Sequence, residues 1–194
     1  MASGDREAFA TLFRRHEARV FRFSRQMLGS KEAAEDITQE VFMALAQNAP
    51  RYQPALGSLS TYLYGIARNL VLQRHKRSRL RVEVDLADLT DDETRALATS
   101  SDPIGDLSRA RAIRQLRVEI LRLPVHYREV IVLCELNGRS YEDAASIAGC
   151  PVGTVRSRLN RARALLAERC RTANTSRETT EVWKPCLTPT KNGC

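Results

Sequence analysis

SYEDAASIAGCPVGTVRSRL, residues 140–159, is the stretch that decides the fold. A helix-turn-helix needs three things: a small residue where its helices touch, a glycine free to adopt positive φ in the turn, and an apolar residue on the second helix. Ala145, Gly149 and Val155 supply them at that spacing, between two helices expected at about 140–148 and 152–169. Ser140 and Asp143 form a capping pair on the first helix. Val155, Leu159, Ala162 and Leu166 make a buried stripe on the second, which turns Arg156, Ser157, Asn160, Arg161 and Arg163 outward. Arg and Asn read base edges with paired hydrogen bonds, and Arg also holds phosphates. A plain helical hairpin with a solvated arginine face is the bland alternative. The turn, the cap and the basic second helix together favour DNA binding.

Working outward, the whole chain reads as helices. Phe9, Leu12, Phe13, His16, Val20 and Phe23 recur at three- and four-residue steps over 5–28. Gly29 ends that helix and Ser30 caps the next, whose stripe is Ile37, Val41 and Leu45. Glu32, Glu35 and Asp36 suit the second helix's positive end. Pro50, Pro54 and Gly57 mark a loop, and Ser58 caps a third helix over 59–77 with Leu59, Leu63, Ile66 and Leu70 on its apolar face. Further helices are expected at 108–123, ended by Pro124, and at Tyr127–Leu136, followed by an Asn137-Gly138 turn. No segment reads as a strand. The fold class is all-α: a helical domain over 1–77, a linker over 78–110, a second helical domain over 111–170, and a flexible tail over 171–194.

Charge follows the same division. The 194 residues carry 31 basic and 23 acidic side chains, a net charge of +8 with a pI near 9.7. Residues 1–77 and 111–170 each net +5, the linker nets −4 and the tail +2. Two basic blocks on an acidic tether suit a polyanionic partner touched twice. No apolar run approaches the ~20 residues of a membrane span, so no membrane insertion is expected. Five scattered cysteines and an N-terminus without a basic and apolar leader point away from secretion and towards a reducing cytoplasm. No phosphate-cradling glycine loop and no nucleophile elbow is present, so the chain is not expected to be an enzyme.

The third helix carries the second chemical signal. Tyr62, Asn69, Gln73 and Lys76 share a narrow strip at 100° per residue, and the helix ends in Arg74-His75-Lys76-Arg77. An aromatic ring, amides and cations on one strip suit stacked bases and phosphates of an opened strand. On periodicity alone, an ordinary polar face is the favoured reading of the strip.

Four ordered stretches resemble bacterial RNA polymerase sigma factors of the extracytoplasmic-function group: Asp36-Ile37-Thr38-Gln39-Glu40-Val41-Phe42, Leu59 through Asn69, Leu123 through Ile131, and the helix-turn-helix. The resemblance covers about residues 5–170 and implies a transcription initiation factor. In that reading Asp36, Gln39 and Glu40 dock on core RNA polymerase, at the clamp helices of its largest subunit. Tyr62, Asn69, Gln73, Arg74, Lys76 and Arg77 meet and open the promoter's −10 element. Arg156, Ser157, Asn160, Arg161 and Arg163 read its −35 element. Promoter DNA and core polymerase are thus the implied partners, and an anti-sigma factor is a further one. A stand-alone helix-turn-helix regulator is the competing reading, and it leaves the acidic second helix and the aromatic third helix without a task.

Two departures from the group stand out. Members often carry further residues ahead of the Gly4-Asp5-Arg6-Glu7 stretch, and most short members stop near Arg171. The tail here holds Cys186 and Cys194 beyond Cys170. It resembles the cysteine-bearing tails of metal-responsive members, which implies a stress- or metal-sensing role with a soft metal ion on these thiolates. Reduced, unliganded cysteines are the alternative, and no cofactor is otherwise implied. Cys134 is expected to pack in the core, and Cys150 to sit half-exposed in the turn. The three histidines, His16, His75 and His126, lack metal-ligand spacing.

Overall fold

A computed structural model describes residues 6–48, 52–78 and 103–181. Its helices are α1 (Arg6–Leu28), α2 (Lys31–Asn48), α3 (Leu59–Ser78), α4 (Pro103–Arg122), α5 (Val125–Val130), α6 (Tyr141–Ala148) and α7 (Val152–Glu181), with a 3-10 turn at Pro54–Leu56. α5 continues into a wider π-helical turn over Ile131–Leu136, closed by the Asn137 amide donating to Val132 O at 3.0 Å. Among the described residues there is no strand. The all-α class therefore stands, as two helical bundles, α1–α3 and α4–α7, joined by a linker.

The caps explain the breaks. The Ser30 hydroxyl accepts from Ala33 N at 3.2 Å, and the Ser58 hydroxyl from Thr61 N at 3.1 Å. Gly29 has φ +80, which favours glycine, and a Cβ there would stand 2.8 Å from Leu121 Cδ1, so the end of that α4 side chain would have to shift.

In the first bundle Val20, Phe23, Met27, Ile37, Val41, Phe42 and Leu45 are buried. Phe13 and Phe42 meet with tilted rings, centroids 4.7 Å apart. On α3 the buried line is Leu63, Ala67 and Val71, with Tyr64, whereas Leu59, Ile66 and Leu70 are only partly covered. The expected stripe is therefore rotated. α3 is flanked by α1 and α2 on one side and by the second bundle on the other, and Tyr64 fills the angle between them, with its ring 5.1 Å from Phe23.

Three boundaries differ from expectation. α4 starts at Pro103, inside the stretch assigned to the linker, because proline suits the first turn of a helix. α5 starts at Val125, directly after Pro124. α7 runs on to Glu181, eleven residues into the expected tail, since no glycine or proline interrupts the sequence between Gly153 and Pro185.

Candidate functional site

The helix-turn-helix is built as its sequence requires. The Ser140 hydroxyl accepts from Asp143 N at 3.0 Å and opens α6. Gly149 closes it in the left-handed region, φ 62, with Cys150 N donating to Ala145 O at 3.1 Å. Ala144, Ala145 and Ala148 are buried and let α7 approach, and Val155, Leu159, Ala162 and Leu166 form the buried stripe of α7. Arg156, Ser157, Asn160, Arg161 and Arg163 are all exposed. They are not equally free. Arg163 pairs with Glu135, which holds its guanidinium more firmly protonated. The Ser157 hydroxyl donates to Thr154 O at 3.0 Å, and the Arg156 guanidinium lies 5.8 Å from the Tyr141 ring centre. Asn160 and Arg161 have no such partner among the described residues.

On α3, Asn69, Gln73, Lys76 and Arg77 are exposed and Tyr62 is half-buried. Tyr62 stands beside Tyr52, centroids 5.5 Å apart, and the Tyr52 hydroxyl donates to Gly57 O at 3.2 Å, which ties the loop to the helix. These side chains line an open cleft of about 320 Å³, together with Ser58, Thr61, Ile66, Asn69 and, from α6, Ser146 and Ile147. Two tyrosine rings, an amide and hydroxyls around such a volume can take a planar, hydrogen-bonding group. Arg74 is separated from this strip: its guanidinium donates to Asp36 on α2 at 3.1 Å. His75 also leaves the basic cluster and turns inward, to within 3.3 Å of Arg128.

Asp36, Gln39 and Glu40 are exposed along α2. Met43, 61% exposed, continues their line by one turn. Sequence reading missed it. The signal was an apolar side chain at i+7 from Asp36, off the Ile37-Val41-Leu45 stripe.

The buried charges at the start of the second bundle were also missed. The Arg128 guanidinium donates to Met27 O at 2.6 Å, to Leu123 O at 3.2 Å and to Leu121 O, and burial lowers its pKa to about 10. Glu129, 2% exposed, pairs with Arg68 of α3. Nothing in residue type marks these two as interior.

Cys134 is half-buried, and burial with nearby Glu135 pushes its thiol pKa up, while Cys150 is half-exposed. Cys170 is half-buried on α7, and Cys186 and Cys194 lie outside the described residues. Among the described residues no three His, Cys, Asp or Glu side chains are grouped to hold a metal, and no helix is long and apolar enough to cross a membrane.

Comparison with known proteins agrees with this layout. Residues 12–81 match the sigma-70 region 2 family and residues 113–166 match sigma-70 region 4. The ECF RNA polymerase sigma factor SigE of Mycolicibacterium smegmatis is 34% identical over 171 residues, 86% of this chain and 64% of its own length. SigC of Mycobacterium tuberculosis is 37% identical over 173 residues, 86% of each chain. Among solved structures, the sigma factor RpoE of Bartonella quintana, in complex with the anti-sigma factor NepR, superposes with a TM-score of 0.62 at 25% identity, covering 85% of this chain and 98% of its own. The chain belongs to the ECF sigma factors. Members of this class are not enzymes; they bind core RNA polymerase and direct it to promoters.

Proposed function

We propose that this sigma factor contacts its promoter at two places with the residues described above. On α7, Arg156, Asn160 and Arg161 read the −35 element in the major groove. Ser157 and Arg163 sit at the edge of that face, where Arg163 can exchange Glu135 for a phosphate. On α3, Tyr62 and Asn69 receive an unstacked −10 base at the cleft. Flipping a base costs a few kcal/mol, which stacking and edge hydrogen bonds offset. Gln73, Lys76 and Arg77 follow the backbone beyond it. Arg74 supports this indirectly, by fixing α3 to α2 through Asp36. The α2 line of Asp36, Gln39 and Glu40, with Met43 as its apolar centre, docks on core polymerase. A protein of the anti-sigma kind is a further partner on this reading, by analogy with the complex of the Bartonella factor.

One observation carries the reading: two exposed faces whose chemistry suits nucleic acid stand on α3 and on α7, and a third, acidic with Met43 as its apolar member, stands on α2. A stand-alone regulator has no use for the α2 face or the tyrosine cleft.

Run-off transcription with core polymerase of a related bacterium, on the chain's own upstream region and a promoter pool, tests it. Specific transcripts are expected only with the protein. They should disappear on changing Asp36→Lys and Glu40→Lys together, with loss of core binding in a pull-down. Transcripts unchanged by that double variant remove the α2 docking face from the reading.

A further inference from the structure

Six of the 23 residues of α1 are arginine, against two glutamates. Three of the six, Arg15, Arg19 and Arg22, fall within about 60° of one another at 100° per residue, turned away from Phe13, Val20 and Met27. All three are exposed, and none has an ion pair or hydrogen bond among the described residues. Arginines elsewhere behave differently: Arg68 pairs with Glu129, Arg74 with Asp36, Arg122 with Glu119 and Arg163 with Glu135. Like charges three and four residues apart weaken a helix, yet the strip's neighbouring positions hold Ala18 and Gln26 where a carboxylate would offset them. Glu17 lies about 160° round the helix, and Glu7 about two turns before Arg15. The resulting field reaches the next side chain: after burial, the charges of Arg15, Arg19 and Arg139 lower the pKa of His16.

The strip's partner follows from what it lacks and what it adjoins. Protein interfaces centre on apolar side chains, and the large apolar side chains exposed among the described residues are Met43, Leu116 and Leu136, none of them on α1. A phosphate backbone asks only for cations, and the guanidinium fork matches phosphate oxygens. Arg15 to Arg22 spans about 10 Å, over which one strand of a duplex presents about three phosphates. At its C-terminal end the strip reaches the α7 face. Gln26, in line with the three arginines, accepts from Asn137 Nδ2 at 2.8 Å, and two residues before Asn137 the carboxylate of Glu135 pairs with Arg163 of α7.

We propose that Arg15, Arg19 and Arg22 form a sequence-independent phosphate-binding surface for duplex DNA, which prolongs the α7 face on to the first bundle. It goes beyond the promoter reading above and rests on it only for the role of α7. The strip carries cations alone and meets no base edge, so it adds affinity without adding choice. A duplex of any sequence is held there, and discrimination is left to α7 and the tyrosine cleft.

Arg15→Gln, Arg19→Gln and Arg22→Gln, made together in the full chain, test this on a duplex of random sequence, with binding read by fluorescence anisotropy across a salt series. Each phosphate contact contributes about 0.9 to the slope of log affinity on log salt, so the triple variant should flatten the slope by about 2.7. Between ~50 and ~200 mM salt the native chain should then lose about 40-fold more affinity than the variant. Capture of core polymerase and the urea midpoint should not fall, since these side chains hold nothing else in the fold. An unchanged slope overturns the proposal, as does a native chain that leaves random duplex unbound at ~50 mM salt. Loss of core capture at an unchanged slope also overturns it and makes the strip a protein interface. A companion variant, Arg156→Ala with Arg161→Ala, separates the two readings. Promoter choice undisturbed by it removes α7 from the −35 element, whereas a slope flattened by the α1 variant keeps the strip as a DNA contact.

Discussion

His75 shows how a single side chain reports the packing around it. Its Nε2 lies between a donor, Arg128 Nη1 at 3.3 Å, and an acceptor, Met27 O at 3.4 Å. Burial first, then the Arg128 charge, lowers its pKa below 6.5, against a smaller raising effect from Met27 O. A histidine kept neutral in the fold binds its proton more readily when unfolded. Its contribution to stability is therefore complete above about pH 6.5 and is lost as pH falls below that value. The urea midpoint should drop between pH 7.5 and 5.5, and His75→Gln should flatten the drop. His16, whose pKa is lowered by burial and by Arg15, Arg19 and Arg139, leaves a residual slope of the same sign. An undiminished slope in His75→Gln would show that its ring is not held neutral. Glu129 makes the complementary case. Glu129→Leu leaves Arg68 without its carboxylate, and because Arg68 keeps some access to water the cost should sit near the low end for a broken buried pair, about 3 kcal/mol by urea unfolding.

At the scale of the element, α6 and α7 were legible almost residue by residue, because every feature that defines them is local. The Ser140 cap, the left-handed Gly149 and the Val155-Leu159-Ala162-Leu166 stripe are all set by residues a few positions apart. Local determination makes local predictions. Ser140→Ala should cost about 1 kcal/mol of stability through the lost bond to Asp143 N, read as a lower urea midpoint. Asn160→Ala should instead leave stability within about 0.5 kcal/mol, since the side chain is exposed and unpartnered among the described residues. Its effect should be on specificity: on a panel of −35 sequences it should relax discrimination at one position by about 1–3 kcal/mol, measured as relative transcript yield. α3 was less legible. Its amphipathic pattern is blurred because two different surfaces cover it, and the stripe read from Leu59, Leu63, Ile66 and Leu70 is turned away from the buried Leu63-Ala67-Val71 line. The exposed strip, which depends only on Tyr62, Asn69, Gln73 and Lys76 sharing a face, was unaffected by that rotation.

At the scale of the whole molecule, nothing in the sequence announced that α3 and α6 touch. Thr61 and Asp143 are 82 positions apart, and neither has a residue type that demands the other. Arg128 and Glu129 read as surface charges and prove to be interior ones of α5, paired with Met27 O of α1 and with Arg68 of α3. Such contacts are a property of how two bundles meet, which no window of sequence contains. They also set how the molecule unfolds. The buried apolar residues of α1–α3 and of the helix-turn-helix belong to one cluster, which includes Tyr64 and Leu123. Bundles that share a core and a set of buried charges lose those contacts together, so the free chain should melt in one calorimetric transition. Weakening the junction at a point outside the continuous cluster should uncouple them. Gly29→Val is such a change: its backbone φ of +80 disfavours a branched side chain, and its Cβ would meet Leu121 of α4 at 2.8 Å. The expected result is a lower first transition and the appearance of a second, since the α4–α7 bundle, freed of α1, keeps its own apolar stripe. A single transition merely shifted downward would mean that the bundles are coupled through α3 and α6 alone, and that the Gly29–Leu121 approach contributes packing but no communication.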